Sequence, residues 1–332
     1  MSIELLNFIE TVLNGLMTGI MYSLVALGFV MIFKASGIFN FAQGVMALFA
    51  ALTLVGIQTG QVPFSHVINA LFGANVHHWQ PIPTVLAIIV TLVLMVGLAW
   101  LIERLVLRYL VNQEPIILFM ATIGLAYVLE GLGDLMWGSD VKTLNVGLPS
   151  GGSLWLEGVT RDWASEGSDY LGMYLDSLDI SAAIVAVVLV TVLTLFSQYT
   201  RTGRALRAVA DDHQAALSVG ISLRSIWVMV WSIAGFIALV AGIMWGSKSG
   251  VQFSLSLIAL KALPVLILGG FTSIPGAIIG GLIIGVGEKI AEIYAGPLVG
   301  GAIENWFAYM LALVFLLVRP QGLFGEKIIE RV

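Results

Sequence analysis

The chain has 332 residues, of which 59% are hydrophobic and 11% charged, with a mean hydropathy of +0.99 and a formal net charge of −5. Soluble domains carry about 25% charged residues, so this chain cannot cover a water-facing surface with charge, and the bilayer is its natural solvent. The absence of cysteine excludes a disulfide framework, a thiolate metal site and a cysteine nucleophile. Several runs approach the roughly 20 apolar residues that cross about 30 Å of hydrocarbon, and none alternates with the period of two that marks a barrel strand. The predicted fold class is therefore all-α, a polytopic transmembrane helical bundle forming a single domain over 1–332.

In chain order, the opening MSIELLNFIE holds Glu4 and Glu10 and no basic n-region, so no cleavable signal peptide is expected. Nine apolar segments follow, at about 11–33, 41–57, 83–102, 116–137, 180–199, 225–246, 255–271, 274–295 and 303–318. With strict alternation and an outer N-terminus, the cytoplasmic side collects Lys34, Arg104, Arg108, Arg201, Arg204, Arg207, Arg224, Arg319, Lys327 and Arg331. The outer side collects Lys142, Arg161, Lys248 and Lys289. That asymmetry fits the positive-inside rule and puts the C-terminus in the cytoplasm. If 255–271 is re-entrant, the count falls to eight and the N-terminus moves inside.

Under this topology the loops 58–82 and 138–179 are external. The second holds Asp140, Glu157, Asp162, Glu166, Asp169, Asp176 and Asp179 against Lys142 and Arg161. The first has only His66, His77 and His78 as ionisable residues. A closed zinc site usually wants four ligands, so these histidines read as part of a solvated loop. Within the spans, Gly15–Gly19, Gly276–Gly280 and Gly281–Gly285 are each four apart, a spacing that lets helix backbones approach closely.

The segment 200–224 is about 25 residues long where a few would suffice to join two spans. On a 3.6-residue period, Leu206, Val209, Ala210, Ala216 and Leu217 share one face, and Arg207, Asp211 and Gln214 lie opposite. Arg207 and Asp211 are spaced to pair across a turn, and Gly220 marks a helix stop. This predicts one short amphipathic cytoplasmic helix. It could anchor to headgroups, or it could dock a soluble partner, which its alanine content and the adjacent Asp211 and Asp212 favour.

Polar groups inside spans are costly and therefore functional candidates. Asn14, Thr18 and Tyr22 line one face of the first span, and Asn40 and Gln43 flank the entry to the second. They are candidates for a translocation path, or for interhelical hydrogen bonds that hold the bundle. Glu130 and Asp134, and Lys261, Glu288, Lys289 and Glu292, lie toward outer span ends, where charges more often pair or snorkel than catalyse. No G-x-x-x-x-G-K-[ST] phosphate loop occurs, so if ATP drives this protein, the ATPase is another chain.

Four stretches carry a family resemblance: TGRALRAVADDHQAALSVGIS (202–222), NGLMTGIMYSLVALGFVMIFKASGIFNFAQG (14–44), LKALPVLILGGFTSIPGAIIGGLIIG (260–285) and RPQGLFG (319–325). In their order along the chain, 14–44, 202–222, 260–285 and 319–325, they resemble permeases of bacterial and archaeal ABC importers of the branched-chain amino acid type, leaving mainly 58–82 and 138–179 uncovered. The resemblance implies a type II-like importer in the prokaryotic plasma membrane. Its parts are this permease, a second and usually paralogous permease, two cytoplasmic ATPases and an outer solute-binding protein, with no role for nucleic acid. It implies that the cytoplasmic segment docks on an ATPase, with Gly203, Arg204, Ala205, Arg207, Ala208, Asp211, Ala215, Gly220 and Ile221 contacting the partner or shaping the helix. ATP and Mg would belong to the ATPases, leaving this chain without a cofactor, a metal or a catalytic residue. The expected cargo is branched-chain or other hydrophobic amino acids, with urea, short amides or small carboxylates as alternatives. An ion-coupled secondary transporter would show inverted repeats and a midplane ion site, and an intramembrane enzyme would show a nucleophile with its base or a metal cluster. Neither pattern is evident in the sequence.

Overall fold

The computed structural model describes residues 2–73, 79–110, 113–161, 163, 172–211 and 213–325. His77, His78, Asp162, Glu166, Asp169, Asp212, Lys327 and Arg331 therefore lie outside the described residues. In chain order the helices are α1 (Ile3–Ser36), α2 (Gln43–Thr59), α3 (Ser65–Phe72), α4 (Thr84–Leu105), α5 (Pro115–Trp137), α6 (Leu154–Arg161) and α7 (Ser177–Tyr199). They continue as α8 (Arg201–Asp211), α9 (His213–Ser218), α10 (Leu223–Ser249), α11 (Ile258–Gly269), α12 (Ile274–Ile290), α13 (Gly296–Val299) and α14 (Glu304–Val318). Extended pairing among the described residues is confined to two isolated antiparallel bridges, Lys142–Val251 and Gly152–Asp176.

Each of the nine predicted apolar segments falls on a helix: α1, α2, α4, α5, α7, α10, α11, α12 and α14. Six helical runs are long and apolar enough to cross a membrane, while Gln43–Thr59, Phe253–Gly269 and Glu304–Val318 are shorter. At about 1.5 Å per residue, α14 covers roughly 23 Å, less than the roughly 30 Å of a hydrocarbon core. The stretch predicted as a span at 255–271 begins with a 3-10 turn, Phe253–Leu257, before α11, which carries Pro264 inside it. The loops predicted to be external contain two short helices that the sequence did not signal, α3 and α6. Tertiary anchors fix α6, since Thr160 accepts a hydrogen bond from the Met173 amide at 2.8 Å.

Two compact units divide the chain. One comprises 27–146 and 192–260. At its centre lies α2, buried continuously from Gln43 to Ile57 and enclosed by α4, α5, α10 and the 3-10 turn. A helix that is apolar on every side belongs in an interior, and α2 fits that rule. Of its neighbours, α4 and α5 each bury one stripe and leave Val85, Val93, Tyr127 and Val128 exposed, as lipid-facing helices do. At one end of this unit, Lys142 donates to the Gln61 side chain at 2.5 Å and pairs its backbone with Val251. Partial burial pushes the Lys142 ammonium below its usual range, against the opposing charge of Asp140.

The other unit comprises 1–26, 147–191 and 261–332. Here α12 shows what the glycine spacing does. Cβ atoms added at Gly281 and Gly285 would lie 2.6 Å from the Gly19 carbonyl oxygen and 2.4 Å from the Gly15 carbonyl oxygen, so that face seats α1. About 100° around the helix, a Cβ at Gly280 would meet the Val265 carbonyl oxygen at 2.6 Å, and one at Gly276 the Gly269 carbonyl oxygen at 2.1 Å, so that face seats α11. Ser23 reinforces the first contact by donating to Gly19 (2.9 Å) and Ala277 (3.1 Å) carbonyls. The tail RPQGLFG folds onto α11, with Leu323 and Phe324 amides donating to the Leu268 and Gly269 carbonyls at 2.8 and 3.2 Å.

Candidate functional site

The cytoplasmic segment of the sequence reading is built as a cornered pair of helical stretches, α8 and α9, with position 212 between them outside the described residues. The corner from α7 depends on Thr200 and Gly203. Thr200 Oγ1 donates to the Phe196 carbonyl (2.7 Å) and accepts from the Gly203 amide (2.9 Å), capping α8 at its N-terminus. Gly203 is buried against the last turn of α7, where a Cβ would lie 2.4 Å from the Phe196 carbonyl and 2.5 Å from the Ser197 carbonyl. Only a residue without a side chain permits so sharp a fold-back.

The far end is equally defined. Gly220 has φ of +85°, its amide donates to Leu217 (3.0 Å), and the Ile221 amide donates to Ala216 (3.0 Å). Those two bonds form a Schellman closure with glycine at the left-handed position. Gly203, Gly220 and Ile221 are thus helix-shaping residues.

Between these ends Leu206, Val209 and Ala216 are buried, with α8 and α9 packed on α10. The outer face presents exposed Arg204, Asp211 and Ala215, with Ala205, Arg207 and Ala208 half-buried beside them. Two details differ from the periodicity reading. Leu217, expected on the inner face, is 53% exposed next to Val219 at 74%; Ala216 takes the inward position and Leu217 lies about 100° around the helix from it. Arg207 donates to the Gln198 carbonyl at 3.3 Å, and among the described residues no ion pair joins it to Asp211. The guanidinium turns back to α7 instead of along its own helix.

The path candidates have distinct surroundings. Asn40 and Gln43 are buried and joined by Asn40 Nδ2 to Gln43 Oε1 at 3.3 Å, while Gln43 Nε2 donates to the Ala234 carbonyl on α10 (3.3 Å). The Gln43 amide lies against Gly28, where a Cβ would be 2.1 Å from Nε2. In the other unit, Asn14 is half-buried and donates to the Tyr174 carbonyl (3.4 Å), and Thr18 donates back to the Asn14 carbonyl (3.0 Å).

Tyr22 belongs to a charged cluster. Its hydroxyl donates to Glu288 Oε2 at 3.0 Å, and Lys261 Nζ reaches Glu288 Oε1 at 3.4 Å and the Glu304 carbonyl at 3.4 Å. Glu288 is 1% exposed. Lys289 pairs with Glu304 at 3.0 Å, and Glu292 accepts from the Ala302 and Glu304 amides at 3.0 and 2.9 Å. Of the charges that the sequence placed near span ends, Lys261 pairs with Glu288 and Lys289 with Glu304, while Glu292 is held by backbone amides; together they tie α1, α11, α12 and α14. Among the described residues no three His, Asp or Glu side chains are placed to hold a metal ion. His66 instead lines an open cavity of about 240 Å³ with Asp134 and Asp140.

Sequence reasoning missed Glu103. It ends α4 at 2% exposure, with Arg224 Nε 3.4 Å from its Oε2. The signal was available: an acid at the basic end of a span, in ERLVLR, needs a cation.

Residues 11–319 match the family described as "Branched-chain amino acid transport system / permease component". The chain is 29% identical over its whole length to the whole of LivH of Escherichia coli, a high-affinity branched-chain amino acid transport system permease protein. It is also 29% identical to the corresponding BraD protein of Pseudomonas aeruginosa, with 99% of each chain covered. A probable branched-chain amino acid transport permease of Methanocaldococcus jannaschii is 28% identical over 91% of this chain and 88% of its own. Apolar helices long enough to cross a membrane and this end-to-end match agree, and the chain belongs to the branched-chain amino acid transport permease family.

Proposed function

We propose that this chain is the membrane-spanning permease subunit of an ATP-binding cassette importer in a prokaryotic plasma membrane. Its cargo is a small solute, foremost branched-chain and other hydrophobic amino acids, moved inward by alternating access that partner ATPases drive. The substrate reading rests on the names of the full-length relatives. A second permease, two ATPases carrying ATP and Mg, and an outer solute-binding protein complete the machine. The nine apolar helices act as spans, with the N-terminus outside and 200–224 in the cytoplasm, as the Lys and Arg asymmetry favours.

The observation that carries the proposal is the build of 201–221. Its inner face is consumed by α10, its ends are fixed by Gly203 and Gly220, and its outer face offers Arg204, Asp211 and exposed Leu217 and Val219. Mixed charge beside exposed apolar groups suits a protein groove better than an anionic leaflet. The chain lacks a phosphate loop, so if ATP drives transport the ATPase is another chain and its energy enters through such a surface.

For the path, half-buried Asn14 is the candidate best placed to meet solute. A second reading is favoured for Asn40 and Gln43, whose burial and mutual bonding suit hydrogen bonds that hold α2 to α10.

The docking face is tested with Arg204→Ala combined with Asp211→Ala. Both side chains are exposed, so folding should be unaffected. Retention of the ATPase on the immobilised permease should fall at least about tenfold, the equivalent of roughly 1.4 kcal/mol. Undiminished retention would remove this face from the interface.

A further inference from the structure

Glu103 is the acidic residue of α4 that water does not reach, at 2% side-chain exposure, and its cation is half-exposed Arg224 on the first turn of α10. A carboxylate so buried is costly unless a charge compensates it. Its Oε2 receives no hydrogen bond, so Arg224, assisted by the positive end of the α10 macrodipole, holds it. Arg224 lies three residues beyond Ile221, where the docking segment closes, and Ser222 between them caps α10 by accepting from the Ser225 amide (3.4 Å). No flexible linker separates the two: the Schellman turn at Gly220 leads directly into the cap and then into the ion pair. On its other side α10 packs along α4 and α2.

We propose that the Glu103–Arg224 ion pair transmits displacement of the docking segment 201–221 into α4 together with α10. In this role both are positioning residues, touching neither ATPase nor solute. An arriving ATPase pushes α8 and α9, which pack on α10. The ion pair makes the first turn of α10 and the last turn of α4 move together instead of sliding past each other. This inference rests on the docking reading above.

The test uses the assembled complex of this permease with its partner permease, ATPases and binding protein in proteoliposomes. Glu103→Gln and Arg224→Gln are compared with Arg224→Lys, which keeps the charge. Three quantities are read: ATPase retention, ATP hydrolysed and solute taken up. Both Gln variants should retain ATPase within about twofold of the parent and continue to hydrolyse ATP, while solute moved per ATP falls at least about fivefold. Arg224→Lys should recover more than half of the parental ratio. Should Arg224→Gln fail to assemble because it leaves the buried Glu103 without its cation, Glu103→Gln decides alone. An unchanged ratio of solute to ATP would overturn the proposal, as would uptake that falls only in proportion to lost assembly. Failure of the parent chain to retain ATPase at all would overturn the docking reading instead, and this inference with it.

Discussion

Lys261→Met should lower the stability of the protein by about 3 kcal/mol, because it leaves the Glu288 carboxylate buried without its cation. Glu288 is 1% exposed and would keep only the Tyr22 hydroxyl at 3.0 Å. Lys261 also spans to the Glu304 carbonyl, so its loss loosens the start of α14 as well as the tie between α11 and α12. Removing both charges is a different experiment. Lys261→Met with Glu288→Met deletes the desolvation cost along with the attraction, and such apolar replacements are often neutral or stabilising. Thermal unfolding in matched detergent should therefore show the single variant lowered by on the order of 5–10 °C, with most of that loss recovered in the double variant. A double variant less stable than the single would show that the pair contributes by packing and not by charge compensation.

Gly285→Ala should cost about 2–3 kcal/mol, near the upper range for overpacking. The added methyl would sit 2.4 Å from the Gly15 carbonyl oxygen, 2.4 Å from the Gly19 amide nitrogen and 2.5 Å from the Gly19 Cα. All three are backbone atoms, so no rotamer change relieves the contact and α1 must move away from α12 by roughly 1 Å. That shift would carry Ser23 out of reach of the Ala277 carbonyl, now 3.1 Å away. The control is Gly97→Ala on α4, where nothing lies within 4 Å of the new methyl; there the change should be neutral or stabilising by up to about 1 kcal/mol from helix propensity alone. Unfolding midpoints that fail to separate the two variants would contradict the close crossing of α1 and α12.

These two sites also mark how far the sequence could be read. Apolar length located all nine helices, because burying hydrocarbon in lipid is a local property of each segment. The four-residue glycine spacing announced close contacts, and the structure adds that Gly276 and Gly280 serve α11 while Gly281 and Gly285 serve α1. Partner choice is non-local and leaves no trace in spacing. Charges near span ends were expected to pair, yet nothing in local sequence joins Tyr22 to Glu288 across 266 positions. Periodicity gave the inner face of 201–221 through Leu206 and Val209, but it misplaced Leu217 and overvalued the Arg207–Asp211 spacing. An arginine within reach of the Gln198 carbonyl at a tight corner has a competing acceptor that a helical wheel does not contain. The α3 and α6 helices were invisible because contacts beyond their own residues hold them, with α3 entered through Phe64 at a φ of 60°.

Under the proposed function, the glycine-cornered, capped segment at 201–221 receives force and the membrane helices convert it into a change of access. A ligand or partner can shift such an equilibrium only through contacts that differ between the two states, so under that proposal transport depends on the ATPase and its nucleotide. The decisive measurement is uptake of a labelled branched-chain amino acid into proteoliposomes holding the complete complex, with ATP inside, beside vesicles lacking the ATPases but given proton and sodium gradients. Accumulation is expected only in the first set and is abolished when ATP is omitted. Accumulation in vesicles without ATPases, driven by an ion gradient, would contradict the proposal.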